Sequence, residues 1–336
     1  MVGIAIIGCG SITTYRHGPE CLKNENINLC GVYDINLERA KSVAEQFGTK
    51  AYNTYEEVLA DTSVDGVIIS VANKFHCEMT LKAFENGKHV LCEKPIAVSV
   101  EEADKMIEAS KKAGKYLMIA HSQRYDGAHL KAKEILSSGM LGKILTFETC
   151  FIHGGPDNWS VDKGNGTWFL NKNLAGLGAM GDIGIHKADL IHYFLGEDIK
   201  YVSAFVGTLD KKGPDGELIG IDDNGLCILE SESGIRGILR ASWTTYGKGW
   251  SRTTLYCEKG ILEVDNDEKE QIKIYFRNGD KQVIHVEVKD SLMASTFAKC
   301  IETNTPPEID GEAGKKALNL VLKCIESSKQ NRRIEV

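Results

Sequence analysis

Three features are missing from this sequence, and each absence argues against a class of protein. The 336 residues carry 40 Lys and Arg against 47 Asp and Glu, a formal net charge of −7, so the basic excess typical of nucleic-acid or anionic-membrane binding is missing. No apolar run approaches the ~20 residues that a membrane-spanning helix needs. The amino terminus lacks the basic flank and cleavage site of a signal peptide. We therefore expect a cytoplasmic protein with no nucleic-acid and no membrane partner.

The ten cysteines also lack the spacing of a zinc or redox site. No pair forms Cys-x-x-Cys, and most stand in apolar surroundings, as Cys92 does after Val90 and Leu91. We expect buried free thiols in a reducing compartment and no metal. Repeats and low-complexity tracts are absent as well. At ~100–200 residues per domain, the length predicts two globular domains.

The amino-terminal part alternates short apolar runs with amphipathic segments. Strands are predicted over Gly3–Ile7, Leu29–Tyr33, Gly66–Val71, His89–Cys92 and Tyr116–Ala120. Several are apolar throughout, which is typical of parallel strands buried on both faces. Helices are predicted between them over Leu37–Phe47, Cys77–Asn86 and Val100–Ala113, the last after a capping box that starts at Ser99. The alternation predicts a doubly wound parallel sheet of Rossmann type over residues 1–122.

The pattern changes after residue 122. Helices are predicted over Ala128–Ser137, up to Phe194 after a Gly/Asn-rich stretch, over Leu292–Glu302 and over Glu312–Ser328. Strands are predicted over Ile144–Ile152, Val202–Leu209, Gly225–Glu230, Arg236–Trp243, Thr253–Cys257, Ile272–Phe276 and Gln282–Val288. Turn signals between them indicate antiparallel hairpins. Residues 123–336 are therefore predicted to form a second α/β domain, whose closing helices within 291–330 are candidates to pack back on the first.

The first strand runs directly into a glycine-rich turn, Gly8-Cys9-Gly10-Ser11-Ile12-Thr13. In a dinucleotide-binding fold the first glycine permits the tight turn, and the second lets the backbone approach a pyrophosphate on the next helix's amino terminus. The third small residue of that fingerprint is Thr13 here, so the motif is incomplete. Its position between a strand and a helix supports a nucleotide site more strongly than the motif does.

A second nucleotide signal is Asp34 at the end of the second strand, about 20 residues beyond the turn. An acid there accepts hydrogen bonds from the adenosine ribose hydroxyls and repels a 2′-phosphate. The alternative is an ordinary turn residue at a strand end. Since Ile35 and Asn36 follow, and no Arg or Lys comes directly after the acid, electrostatics favour NAD over NADP.

Glu93-Lys94-Pro95 follows the strand His89–Cys92. A charged pair at the carboxyl end of a parallel strand lies where open α/β sheets bind ligands. We expect Lys94 to point toward a substrate oxygen as a cationic hydrogen-bond donor, aimed by the backbone restriction that Pro95 imposes. A cis Lys94–Pro95 bond is a further hypothesis. From composition alone, a solvated surface lysine is the alternative.

The second catalytic signal lies in the segment from Gly178 to Asp189, where Asp182 and His186 stand four residues apart. On a helix they share one face. An imidazole suits a base that removes a hydroxyl proton, and Asp182 is suited to orient the substrate or the imidazole. Two alternatives stay open: a metal site that adds Asp189, and a helix cap with a packed histidine.

Together these motifs resemble the Gfo/Idh/MocA oxidoreductase family, named for glucose–fructose oxidoreductase and inositol dehydrogenase. The resemblance runs from Gly8-x-Gly10 through Gly87–Pro95 to the Gly181-Asp182-x-Gly184-x-His186-x-x-Asp189 block. It implies a Rossmann domain and a C-terminal α/β domain built on an open, mainly antiparallel sheet, which often forms the subunit interface. A homodimer or homotetramer is therefore expected.

The resemblance also implies roles for individual residues. It makes Lys94, Asp182 and His186 the catalytic group, and places the cofactor along Gly8, Gly10, Ser11, Ile12, Asp34, Ser70, Asn73, His76, Glu93, Lys94, Pro95 and Arg124. It places the substrate against Lys94, Tyr125, Asn158, Trp168, Asp182 and His186. Val71 and Ala72 stand where the family has Thr-Pro.

The implied reaction is dehydrogenation of a secondary alcohol by NAD, or the reverse reduction. The loop from Gly154 to Gly181 carries amide, carboxylate and aromatic side chains, which fits the hydroxyls and C–H faces of a sugar, glycoside or cyclitol; a solvent loop is the alternative. His153 and Tyr246 are weaker candidates. Two other functions stay open: a redox-neutral enzyme that retains NAD, and a non-catalytic dinucleotide sensor, against which the presence of Lys94, Asp182 and His186 argues.

Overall fold

The computed structural model describes residues 1–265, 271–286 and 292–336. Within these ranges, five parallel strands form the first sheet in the order β2-β1-β3-β4-β5. In chain order they are β1 (Val2–Ile7), β2 (Ile27–Tyr33), β3 (Gly66–Ile69), β4 (His89–Cys92) and β5 (Leu117–Ile119). Each lies within two residues of its predicted bounds, and the predicted Rossmann-type sheet is confirmed.

Helices cover both faces of this sheet. They are α1 (Gly18–Lys23), α2 (Leu37–Phe47), α3 (Tyr55–Ala60), α4 (His76–Glu85) and α5 (Val100–Ala113), with a π-helical turn over Thr13–His17 and 3₁₀ turns over Asn73–Phe75 and Ser122–Tyr125. Local chemistry fixes their ends: the Ser99 side chain accepts the Glu102 N–H at 3.2 Å, and Gly114 ends α5 in the left-handed conformation. The predicted bounds of α2 and α5 are confirmed.

In the described part of the chain, nine strands form the second sheet, in the order β13-β12-β11-β10-β6-β9-β8-β7-β14. They are β6 (Ile144–Ile152), β7 (Ile199–Gly207), β8 (Asn224–Ser231), β9 (Arg236–Ser242), β10 (Trp250–Cys257), β11 (Gly260–Asp265), β12 (Ile272–Phe276), β13 (Lys281–Ile284) and β14 (Ile334–Glu335). The β6–β9 pair is parallel and the others are antiparallel. The predicted open, mainly antiparallel sheet is confirmed.

Two strand predictions need correction. β11 was not predicted, because its six residues show no strict alternation of apolar and polar types. Gln282–Val288 was predicted as one strand; β13 ends at Ile284, and residues 287 and 288 lie outside the described residues.

Helices cover one face of the second sheet and connect it to the first. They are α6 (Gly127–Ser137), α7 (Lys172–Ala175), α8 (Ile185–Leu195), α9 (Met293–Thr303) and α10 (Gly311–Gln330), with a π-helical turn over Met180–Gly184 before α8 and 3₁₀ turns over Pro156–Asn158, Gly164–Gly166 and Trp168–Leu170. The opposite face of the sheet exposes apolar side chains, among them Phe205, Ile228 and Ile238.

The chain returns to the first sheet after the second is complete. In α9, Met293 and Phe297 are fully buried in one cluster with Ile4 and Ile68, and the Ala294 N–H donates to the Glu20 carboxylate at 3.0 Å. The segment that follows the second sheet is thus packed against the first sheet. A domain boundary at residue 122 stays a prediction. In the described ranges, no helix is both long and apolar enough to cross a bilayer.

Candidate active site

A cavity of about 590 Å³ opens at the carboxyl edge of the first sheet, where residues of both halves of the chain meet. Of the predicted site residues, it is lined by Gly10, Ser11, Ile12, Ser70, Asn73, His76, Glu93, Lys94, Pro95, Asn158, Trp168, Asp182 and His186. Gly8, Asp34, Arg124 and Tyr125 are predicted site residues outside this lining. The lining also includes residues that were not predicted for the site, Tyr15, Arg16, Gln123, Phe151 and Phe169.

The glycine turn after β1 has the shape that a phosphate-binding backbone requires. Gly8 has φ +97°, and a Cβ there would lie 2.4 Å from the carbonyl oxygen of Ser70, so only glycine fits. Gly10 has open space where a Cβ would stand, within the described residues. Thr13 takes the third position of the fingerprint and ties the turn to β3, since its hydroxyl bonds the Gly8 carbonyl at 2.7 Å and the Ser70 hydroxyl at 2.8 Å.

Asp34 stands at the end of β2, beside this turn. One carboxylate oxygen accepts the Cys9 N–H and the other accepts the Asn36 N–H, both at 2.8 Å. These bonds fix an acid next to the glycine turn although it does not line the cavity. The cradle at Gly10 and this neighbouring carboxylate together fit the pyrophosphate and ribose of a dinucleotide.

Lys94 points from the end of β4 toward the second half of the chain. Its ammonium donates to the Asp182 carboxylate at 2.9 Å and to the Asp182 carbonyl at 3.0 Å. Burial lowers the pKa of Lys94, but the charges of Asp182 and Glu93 outweigh it and raise the pKa above its usual value. The Lys94–Pro95 bond is cis. The cavity thus contains a fully charged ammonium group with a fixed direction.

Glu93 is held by a residue that sequence reasoning missed. Its carboxylate lies 2.9 Å from Nε2 of His17, which is fully buried in the π-helical turn after the glycine motif. Burial alone would raise the pKa of Glu93, yet the hydrogen bond and charge of His17, with the charge of Lys94, lower it to about 2. Glu93 therefore keeps its negative charge against the cavity wall.

Asp182 lies in a π-helical turn, Met180–Gly184, and not in the α-helix that the four-residue spacing assumed. Its carboxylate nevertheless lines the same cavity as His186. The fully buried Trp243 donates its indole N–H to the second carboxylate oxygen at 3.2 Å. Because Lys94 holds one oxygen and Trp243 the other, the carboxylate has a defined orientation.

His186 lies in the first turn of α8, with its ring against the cavity and 6.1 Å from the ring of Phe151. Burial lowers its pKa well below 6.5, and the charge of Lys94 lowers it further. Among the described residues, Nδ1 has no hydrogen-bond partner. A neutral imidazole beside a cation is a group that can accept a proton at neutral pH.

The start of this helical segment is held by Asp222, which no sequence signal indicated. Its carboxylate accepts the Met180 N–H at 2.7 Å and the Gly178 N–H at 3.1 Å. Burial raises the pKa of Asp222 to about 6 despite these bonds. A Cβ on Gly178 would lie 1.7 Å from the Asp222 carbonyl oxygen. Glycine at position 178 therefore permits the close approach of Asp222.

We expect Asp222→Ala to lower the free energy of unfolding by about 2–4 kcal/mol, since two buried N–H groups lose their acceptor. It should also lower kcat more than tenfold because the helix that carries His186 loses its anchor. The matched control is Asp310→Ala, which removes the cap of α10, where the carboxylate accepts the Ala313 N–H. That variant should lose about 1 kcal/mol and keep kcat. Equal kcat in both variants would contradict the assigned role.

Three other predicted site residues make their contacts with other residues of the protein. Arg124 forms a bidentate pair with Asp189, with N–O distances of 2.8 and 2.6 Å. Tyr125 is half-buried against the apolar cluster that contains Met293 and Phe297 of α9. Asn73 donates to the Ala175 carbonyl at 2.9 Å. The Asn73 bond joins the two halves of the chain beside the cavity, whereas the Arg124 pair lies within the second half. In the described residues, no group of three metal-ligating side chains comes together.

Aromatic rings from the second half of the chain form part of the cavity wall. Trp168 stacks on Phe169 with ring centres 3.8 Å apart, and Trp159 meets Phe169 edge-on at 5.0 Å. Asp157 of the same loop does not line the cavity, because it pairs with the buried Lys211 at 2.9 Å. His153 and Tyr246, the weaker candidates, both line it. The wall offers an apolar face beside the polar catalytic group.

A parallel sheet with a phosphate-binding turn, and a Lys–Asp–His group at its carboxyl edge, define the class of dinucleotide-dependent oxidoreductases. Residues 2–121 match the model of the oxidoreductase family with an NAD-binding Rossmann fold, and residues 129–263 match the GFO/IDH/MocA C-terminal domain. The chain belongs to the Gfo/Idh/MocA family. The predicted family, fold and oxidoreductase class are confirmed.

Three similar proteins illustrate the range of the family. Myo-inositol 2-dehydrogenase of Thermotoga maritima is 27% identical over 99% of this chain and 98% of its own length. The NAD-dependent scyllo-inositol 2-dehydrogenase of Bacillus subtilis is 30% identical over 73% of this chain and 69% of its length. The aldose-aldose oxidoreductase of Caulobacter crescentus superposes with a TM-score of 0.88 at 26% identity, covering 100% and 99% of the two chains.

Proposed function

We propose that this protein is an NAD-dependent dehydrogenase that interconverts a secondary alcohol and a ketone on a sugar, glycoside or cyclitol. The observation that carries the proposal is the convergence of Lys94, Asp182 and His186 in one cavity beside the glycine turn. The aromatic wall and Asn158 line the same cavity. They supply an apolar face and a polar group, as a polyol ring requires.

Each catalytic residue has a defined task in this mechanism. The neutral imidazole of His186 accepts the hydroxyl proton as the alcohol is oxidised. The Lys94 ammonium, held by Asp182, donates to the substrate oxygen and stabilises the negative charge that develops there. The nicotinamide, when bound, supplies the hydride acceptor. In the reverse direction His186 returns the proton to the oxygen.

NAD is proposed as the cofactor in preference to NADP. The fixed carboxylate of Asp34 beside the glycine turn supports this proposal, because it favours ribose hydroxyls and repels a 2′-phosphate. The ten cysteines are free in the described residues, which is consistent with a reducing compartment such as the cytoplasm.

A second candidate is a redox-neutral enzyme that keeps its cofactor. The Ser11 hydroxyl donates to the Trp159 carbonyl at 3.4 Å, so the loop of the second half crosses the glycine turn. A bound dinucleotide would have to pass this loop to leave. The similar structure from Caulobacter crescentus is named an aldose-aldose oxidoreductase, which is in line with this candidate.

The test is the absorbance of reduced nicotinamide with purified protein, NAD or NADP, and a panel of hexoses, glycosides and inositols. A rise with one polyol and NAD supports the dehydrogenase. Cofactor that copurifies and is reduced only once per site supports the redox-neutral candidate. Binding of NAD without reduction by any polyol favours the sensor, and failure to bind either dinucleotide contradicts the proposal.

The uncovered face of the second sheet is proposed as the interface of a homodimer or homotetramer. Ile228 on β8 pairs with Ile238 on β9, and they are 61% and 47% exposed. Phe205 on β7 is 77% exposed and lies on the same face. A contiguous apolar patch of this kind is typical of protein interfaces.

We expect Ile228→Glu to shift the protein to monomers because it introduces a charge at the centre of this patch. Size-exclusion chromatography with light scattering measures the mass. Ile35→Glu, at a site 95% exposed on the first half of the chain, is the control and should keep the oligomer. An unchanged mass for Ile228→Glu would place the interface elsewhere.

A further inference from the structure

Arg39 places a positive charge near Asp34, the carboxylate proposed to bind the ribose, although no Arg or Lys follows Asp34 directly in the sequence. Arg39 lies in the first turn of α2, where its N–H is capped by the Asn36 side chain at 3.1 Å. The pKa of the buried Cys9 thiol is raised by burial and by the charge of Asp34, and lowered by the charge of Arg39. Both charged groups therefore act on one sulfur atom within the glycine turn.

Arg39 is paired with an acid from the other half of the chain. Its Nη2 lies 2.8 Å from the Asp162 carboxylate, and the two side chains are 27% and 47% exposed. Three residues before Asp162, the Trp159 carbonyl accepts the Ser11 hydroxyl. The segment from Trp159 to Asp162 thus runs from the glycine turn to α2, along the rim that the adenosine half of a dinucleotide occupies in this fold.

We propose that Asp162 is a specificity-determining residue, which selects the dinucleotide without a 2′-phosphate by occupying Arg39. The inference rests on the proposed function, since it assumes that a dinucleotide binds at this turn. A free guanidinium beside the ribose can bind a phosphate through two parallel N–H···O hydrogen bonds. To bind Arg39, a 2′-phosphate must displace the Asp162 carboxylate. It would also lie near the negative charge of Asp34.

The Arg39–Asp162 pair is not expected to stabilise the fold. Exposed ion pairs contribute little to stability, so loss of this one should leave the fold intact. The two hydroxyls of an unphosphorylated ribose need no cation. The effect of Asp162 is therefore expected in the ratio of the two dissociation constants and not in folding.

The test is Asp162→Asn, with dissociation constants for NAD and NADP measured by calorimetry on the full-length protein. We expect NADP to bind about tenfold tighter, the gain of one charge-assisted contact, with NAD changed less than about twofold. The gain should shrink at high ionic strength, since the groups are exposed. Asp198→Asn, which removes an acid of similar exposure from its pair with Lys316, is the control and should leave the ratio unchanged.

A second background separates the role of Arg39 from that of the acid alone. In Arg39→Gln protein, Asp162→Asn should produce no gain in NADP affinity, because the phosphate anchor is gone. An equal gain in both backgrounds, or no gain with Arg39 present, overturns the inference. Failure of wild-type protein to bind either dinucleotide contradicts the proposed function instead, so the two failures are distinguishable.

Discussion

Lys94→Ala is expected to lose turnover by about 100- to 1000-fold, the usual effect of removing one donor to a developing oxyanion, while it still binds NAD. The ammonium is the donor that faces the cavity from the first sheet, and its direction is set by two bonds to Asp182. Its removal leaves the substrate oxygen without a cation. Steady-state kinetics with the substrate found in the panel, together with NAD titration, measure the two effects separately.

The matched control for this variant is Lys88→Ala. Lys88 stands next to the start of the same strand, β4, and its ammonium donates to the carbonyls of Asp61 and Val64, both at 2.8 Å. Its loss removes two buried bonds far from the cavity, so stability should fall while kcat stays the same. A near-normal kcat in Lys94→Ala would show that another group stabilises the substrate oxygen.

His186→Ala is expected to lower kcat by about 10²–10⁴-fold, the range for loss of a general base. The control is His192→Ala on the same helix, where the ring accepts the Ile199 N–H at 3.4 Å. That variant should lose stability and keep kcat. If His186→Ala kept most of its turnover, the proton would have to leave by another route.

The pH dependence follows from the lowered pKa of His186. Because burial and the charge of Lys94 hold this pKa well below 6.5, the imidazole is neutral at pH 7, and alcohol oxidation should lose activity only as pH falls below 6.5. In the unfolded chain His186 has its ordinary, higher pKa and binds a proton more readily than in the folded protein. The free energy of unfolding therefore also decreases as pH falls through this range. In Lys94→Ala the residual activity should show its acid limb at higher pH.

The features of the site that depend on a few consecutive residues could be predicted from the sequence. The apolar strand His89–Cys92 followed by Glu93-Lys94-Pro95 placed Lys94 at a carboxyl edge, since the end of a parallel strand is fixed by its neighbours. The capping serine of α5 and the glycine turn are equally local. Each needs only a few consecutive residues, and each lies in the structure where the sequence indicated.

The rest of the site depends on contacts between residues far apart in the sequence. The indole of Trp243, directly after β9 and about 60 residues away, orients Asp182. Asp222 anchors the segment of Met180, and Asp162 pairs with Arg39 across the cavity rim. A single buried polar contact leaves no periodicity in a sequence. The π-helical turn at Asp182 is similar, because i,i+4 spacing does not distinguish it from α-helix.

The most direct measurement is the fate of deuterium placed on the carbinol carbon of the polyol that the panel identifies. Mass spectrometry of the products follows the label. We predict that wild-type protein transfers one deuterium to the nicotinamide, or through it to a second sugar, and that Lys94→Ala and His186→Ala transfer almost none. Deuterium that is lost to water, or that stays on the polyol while product forms, would contradict hydride transfer at this site.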